Sequence, residues 1–169
     1  MLGPSTRIYV PDGAVKVRNL RIGDQVIALD GIKMGVHTVT YVQTILKSMD
    51  QLIKVRFEGV EKVLTCALDT VFYQSGIGSV QVKAENLEIG QKVKGLHHGT
   101  FSVLTKESIV EEHQLKKFEK EGDQYKLYNI GLDGVLNYYL ASGLLVSGLT
   151  MEQSQSEIDR MEEFNAKFE

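Results

Sequence analysis

The chain has no tryptophan, two prolines and one cysteine, and each scarcity excludes something. A lone cysteine, Cys66, cannot form a disulfide within the chain, so the fold is not a small scaffold held by bridges. With so little proline, turns must rest on the 16 glycines. Long apolar runs are also missing. The longest, Leu140 to Val146, is broken by Ser142 and Gly143 and falls far short of a bilayer span, so no membrane partner is expected. No run of Lys or Arg occurs, and a formal charge of −3 offers no basic face for nucleic acid. No signal-peptide pattern opens the chain, since Pro4 and Arg7 interrupt its start, and this favours the cytoplasm.

What remains is an ordinary globular balance: 169 residues, 43% hydrophobic and 24% charged, enough to bury one core. Short β-type runs dominate it. Ile8-Tyr9-Val10 leads into the turn signal Pro11-Asp12-Gly13 and then Val15-Lys16-Val17. Val26 to Leu29 ends at a second turn, Asp30-Gly31. Further runs lie at 37–46, 52–57, 62–64, 71–73, 79–82 and 126–130. Helical periodicity is missing from most of the chain, so an all-β fold is predicted.

The sequence also echoes itself. Leu20-Arg21-Ile22-Gly23-Asp24-Gln25-Val26 and Leu87-Glu88-Ile89-Gly90-Gln91-Lys92-Val93 share the pattern L-x-I-G-x-x-V, and a V-x-V pair precedes each. A glycine at one place in both copies predicts a backbone reversal that a side chain would obstruct. Two related β-subdomains about a pseudo-twofold follow, unless the match is chance similarity between turns.

From His97 to Gly122 the character changes. Val103 to Lys120 is charged and reads as an irregular insertion with at most a short strand, and 119–123 as an exposed loop. The end is helical in pattern. Thr150 and Gln153 make a capping box, and Ile158, Met161, Phe164 and Phe168 recur at helical spacing, among six acidic and two basic residues. This 150–169 helix is expected to pack on its own domain, to link to a neighbour, or to bind a protein partner.

Four segments, spanning nearly the whole chain up to Gly148, resemble the Hint family, the autoprocessing modules of inteins and hedgehog C-terminal regions. Met1 to Gly13 with Leu20 to Ala28 is similar to the opening block, with a Thr at the sixth position ahead of "dG" and "L-x-x-G-D-x-V". Leu64-Thr65-Cys66-Ala67-Leu68-Asp69-Thr70-Val71-Phe72-Tyr73 is similar to the second. Tyr128-Asn129-Ile130 with Asp133-Gly134 and Leu136-Asn137-Tyr138-Tyr139 resembles the penultimate block, and Ser142 to Gly148 the last. The resemblance implies an all-β Hint fold over 1–148, two pseudo-twofold subdomains forming a horseshoe, with residues 149–169 as an amphipathic helix or linker.

It also implies a chemistry, for which most positions here hold other residues. The family's first residue is a thiol or hydroxyl nucleophile that attacks the preceding carbonyl; Met1 stands there, and a thioether has no proton to lose. The second block supplies a Thr and a His that polarise the scissile amide and protonate its nitrogen. One register puts Ala67 and Thr70 at these places; the other puts Thr65 and Leu68 there. Neither supplies an imidazole, a loss of about 10²–10⁴-fold in rate. Asn129 stands where an Asp is usual. Ser147-Gly148 replaces His-Asn, so asparagine cyclisation is excluded in this register, and Leu149 cannot accept an acyl group.

Among other candidates, Cys66 is expected to be a buried core thiol, with rescue nucleophile as the sharper alternative. Asp69 can pair with Thr70 or cap a turn. His97 and His98, if on a strand, point to opposite faces and are no joint metal site. His37 and His113 are expected to be solvated, and Gln74 to Gly78 to be a hairpin turn, not a phosphate loop. No cofactor or metal is implied. Expected partners are the flanking polypeptide segments in cis. Two functions stay open: a self-processing domain impaired as written and acting as a folded module, or an active one doing N-terminal cleavage or acyl transfer when Cys or Ser occupies position 1.

Overall fold

The computed structural model describes residues 1–30, 33–74, 80–134, 138–149 and 151–167. The second and third turn signals (at Gly31 and Ser75 to Gly78), Leu136, Asn137, Thr150 and Phe168 lie outside the described residues. The strands are β1 (Arg7–Val10), β2 (Gly13–Lys16), β3 (Gln25–Asp30), β4 (Lys33–Ser48), β5 (Leu52–Phe57), β6 (Leu64–Ala67) and β7 (Val71–Gln74), followed by β8 (Val80–Lys83), β9 (Lys92–Lys94), β10 (Thr100–Ser108), β11 (Lys120–Glu121), β12 (Gln124–Leu132), β13 (Tyr138–Ala141) and β14 (Leu144–Ser147). One helix, α1 (Met151–Ala166), follows. The strands pair antiparallel in a single curled sheet, so the all-β expectation with a C-terminal helix holds.

The internal echo is a structural duplication. Gly23 and Gly90 both take positive φ, 96° and 88°. Gly23 N–H donates to Val39 O and Val39 N–H to Asp24 O; in the second copy Gly90 N–H donates to Val103 O and Val103 N–H to Gln91 O. The side chains repeat the motif too, Asp24 accepting from Arg21 N–H and Gln91 from Glu88 N–H. Hairpin β1–β2 corresponds to β7–β8, with Ile8 opposite Val15 in one and Phe72 opposite Val82 in the other. The lobes exchange strands with the rest of the chain in the same way. β4 pairs with β12, with a bulge beside Leu132, and β10 pairs with β5, with a bulge beside Val103. Ile8, Val17, Leu20 and Val26 of one copy and Phe72, Ala84, Leu87 and Val93 of the other meet in one core cluster.

Several local expectations need correcting. The stretch after Thr100 is no irregular insertion: its first part is the nine-residue strand β10, held between β9 and β5. The loop expected at 119–123 contains the short strand β11, paired to β12. His97 and His98 are not on a strand; both are left-handed, at φ 57° and 56°, in a turn before β10. His37 is only partly exposed, and its Nδ1 lies 2.9 Å from Asp133 O. His113 is exposed beside Glu111. Helix α1 packs on its own domain at its start, where Ser154 is buried against Gly131; a β-carbon on Gly131 would come within 2.1 Å of Ser154 Oγ. Farther along, Met161 and Phe164 are on the surface.

Candidate functional site

Strand β12 is where the first and last segments of the Hint resemblance converge. One of its edges runs along β4. On the other edge, Leu2 N–H donates to Tyr128 O at 2.8 Å and Tyr128 N–H returns to Leu2 O at 2.9 Å. Two positions along, Ile130 O accepts from Leu149 N–H at 2.8 Å. Alternate residues of a strand turn their backbone groups to the same side, ~7 Å apart. The Met1 segment and the Ser147-Gly148 segment therefore lie side by side.

Met1 is fixed from its other flank by the second block. Ala67 N–H donates to Met1 O at 3.0 Å and Gly3 N–H to Thr65 O at 2.9 Å. The buried Thr70 hydroxyl completes the contact. It accepts from Met1 N at 3.2 Å and donates to Met1 O at 2.9 Å. Of the two registers open in the sequence, Thr70 reaches the first residue; Leu68 bonds through its backbone to Gln51 and Glu85 instead. Burial holds the Met1 amino group below its ordinary pKa, with Lys47 acting the same way and Cys66 and Asp69 opposing. The Met1 side chain packs against the cluster of Leu52, Leu115, Tyr125 and Leu127.

Cys66 lies behind Leu2, fully buried in β6 as expected. Burial pushes its thiol up to about 11, against the field of the Met1 amino group and a hydrogen bond with Thr70. Such a thiol is protonated at neutral pH and has no route to a substrate. Asp69 is exposed and acts on the site through its field alone. Thr65 contributes its carbonyl to Gly3.

On the far side of β12, Asn129 is buried, and its Oδ1 accepts from the Tyr139 hydroxyl and from Ile130 N–H, both at 2.9 Å. Tyr139 has no exposed surface, and burial holds its phenol protonated. The amide thus satisfies a buried donor that would otherwise be costly. Gly148 is pressed onto the same place. A β-carbon there would stand 2.5 Å from Ile130 O and 3.3 Å from the Tyr139 ring. Ser147 is half-buried, and among the described residues its hydroxyl reaches only Gly148 O, at 3.3 Å. Met1, Cys66, Ala67 and Thr70 are thus gathered at one end of the site and Asn129, Ser147 and Gly148 at the other. The Asn129–Tyr139 bond escaped sequence reasoning, which carried no signal for it beyond the proximity of both residues to the penultimate block.

No protein-family model and no curated protein sequence matches the chain. Solved structures do. The bacterial intein-like domain from Clostridium thermocellum matches with a TM-score of 0.69 at 22% identity, over 88% of this chain and 97% of that one. A DnaB intein from Synechocystis matches with a TM-score of 0.67 at 10% identity, over 88% and 97%. The gp41-1 intein matches with a TM-score of 0.62 at 21% identity, over 87% and 97%. With its duplicated lobes and convergent first and last segments, the chain has the Hint fold, that of the inteins and the bacterial intein-like domain.

Proposed function

We propose that this chain is a self-processing-type Hint domain whose acyl-transfer chemistry is disabled as written, and that it serves as a folded module for the polypeptide segments joined to it in cis. The observation that supports this is that the side chain meeting the Met1 nitrogen is the Thr70 hydroxyl, at 3.2 Å. Autoprocessing needs a group that gives a proton to the nitrogen of the first residue as its acyl bond breaks. An alcohol hydroxyl is no proton shuttle near neutrality. The thioether of Met1 adds no nucleophile, and the buried, protonated Cys66 does not replace it. A protein partner for the 150–169 helix belongs to the same reading, since Met161 stays on the surface.

The second reading is an active domain, cleaving or transferring an acyl group at its N-terminal side with Cys or Ser at position 1. The side-by-side docking of Leu2 and Leu149 on β12 favours it. One experiment separates the two. Met1→Cys is placed behind a short upstream peptide, thiol is added, and the products are weighed by mass spectrometry. On the first reading cleavage stays at background, and adding Thr70→His is required to raise it. Cleavage well above background in the single variant overturns that reading in favour of the second.

A further inference from the structure

A wide groove of about 1180 Å³ opens on the molecule between hairpin β1–β2, the 58–63 loop and the 111–118 segment. Six cations line it, Arg7, Lys16, Lys54, Lys62, Lys116 and Lys117, against a single carboxylate, Glu61. They come from separate parts of the chain, which is why no basic run announces them. Among the described residues none of the six forms an ion pair. Lys54 alone has a carboxylate residue opposite it in the sheet, Glu107. Arg18, just outside the groove, first holds the Lys16 ammonium below its ordinary pKa, followed by burial and then by Lys117, Arg7 and Lys62 of the groove. In a chain of net charge −3, like charges gathered without counter-charges oppose folding and gain nothing inside the chain.

The groove's wall holds Arg7 and Tyr9 of β1 and Lys16 of β2, whose side chains share one face of the hairpin. Ser5 lies in the same wall, its hydroxyl buried without a partner. The space is larger than a compact small-molecule pocket, typically about 300–1,000 Å³, so a chain molecule fits it better. A single-stranded nucleic acid would need free ring faces for stacking. Of the groove's two aromatic rings, Phe118 instead packs edge-on with Tyr125, and Tyr9 packs against the cluster of Leu29, Tyr138, Leu140 and Leu145. The groove adjoins the Met1 centre and shares Gly3, Thr65 and Leu115 with it. Met1 lies opposite Ala67 and Gly3 opposite Thr65, so residues upstream of Met1 would run toward Asp69, away from the groove.

We propose that this groove binds an acidic polypeptide segment, held by Arg7 and the lysines. The test uses the full chain and a fluorescently labelled peptide of alternating Glu and Thr, read by anisotropy at low and physiological salt. Binding that weakens with salt is expected, with a loss of about tenfold or more in the triple variant Lys16→Glu, Lys62→Glu, Lys117→Glu. Circular dichroism and thermal melting of that variant check its fold, and Lys126→Glu, outside the groove, should leave binding unchanged. The proposal is overturned by absent binding at low salt or by equal loss in Lys126→Glu. An oligothymidylate that binds more tightly than the peptide would reassign the groove to nucleic acid. Self-association of the chain that the triple variant abolishes would reassign it to a second copy.

Discussion

Leu2 and Cys66 face each other across the approximate twofold axis relating the two halves of the sheet. Their neighbours confirm the symmetry: Gly3 N–H donates to Thr65 O, and Ala67 N–H donates to Met1 O. Thr6 and Thr70 are equivalent in the same way. Each donates its N–H three residues back, to Gly3 and Ala67, and each accepts through its carbonyl, from Val17 and Ala84. Equivalent positions of the duplicated unit thus differ in duty, because only the second copy's Thr meets the first residue of the chain.

The position of Cys66 on this axis gives the protein an alkaline limit. Burial pushes its thiol from the ordinary 9.0 up to about 11 in the fold. The folded state holds the proton more tightly, so this contribution to stability is complete below pH 9 and is lost as pH rises toward 11. Its full size is roughly 3 kcal/mol. Urea denaturation across pH 8–11 should show a steeper loss in the native chain than in Cys66→Ala. Parallel curves would contradict the assignment.

The Asn129–Tyr139 bond should behave as a coupled pair. Asn129→Leu leaves a fully buried phenol without an acceptor, at a cost of about 1–3 kcal/mol, and Tyr139→Phe leaves an amide oxygen with one donor fewer. In a double-mutant cycle the combined variant should be more stable than the sum of the singles, by about 0.5–3 kcal/mol. Strict additivity would show that the bond contributes nothing.

Gly148 tests whether the last block can be repaired. Installing the missing amide by Gly148→Asn forces a β-carbon to 2.5 Å from Ile130 O, a backbone atom that cannot swing aside. A loss of about 1–3 kcal/mol in unfolding free energy is expected, with no gain of cleavage. A stable variant that releases its C-terminal segment would refute both halves of the expectation.

Gly23→Ala and Gly90→Ala isolate backbone strain from packing, because a β-carbon at either position meets nothing within 4 Å. Each substitution puts an L-residue at positive φ and should lower stability by about 1–2 kcal/mol, equally in the two lobes. Unequal losses beyond about 1 kcal/mol would mean that the lobes are not equivalent at these turns.

The repeated turns were legible because glycine at positive φ leaves its mark in the sequence itself, as it did at Gly23 and Gly90. Strands with one well-buried face, such as β5, were legible by their apolar residues. β10 was not, because Val103 alone of its residues is buried, and its place is set by backbone bonds to β9 and β5 that any side chain permits. The choice between the Ala67–Thr70 and Thr65–Leu68 registers depended on which way a strand faces Met1, and sequence spacing allowed both. The groove was hidden for a related reason. Lys16, Lys62 and Lys117 are far apart in the chain, and only the packing of hairpin β1–β2, the 58–63 loop and the 111–118 segment brings them together.

Because Leu2 and Leu149 occupy neighbouring rungs on β12, the body of the domain is close to a closed ring. A linker of a few residues from Leu149 back to Met1 would complete it, and new ends could be opened at the exposed Gly122 turn between β11 and β12. Such a circular permutant should keep the same core with its loops in a new order, as surface-close ends generally allow. The same closeness would let the domain sit in a surface turn of another protein without prying apart that protein's flanking strands.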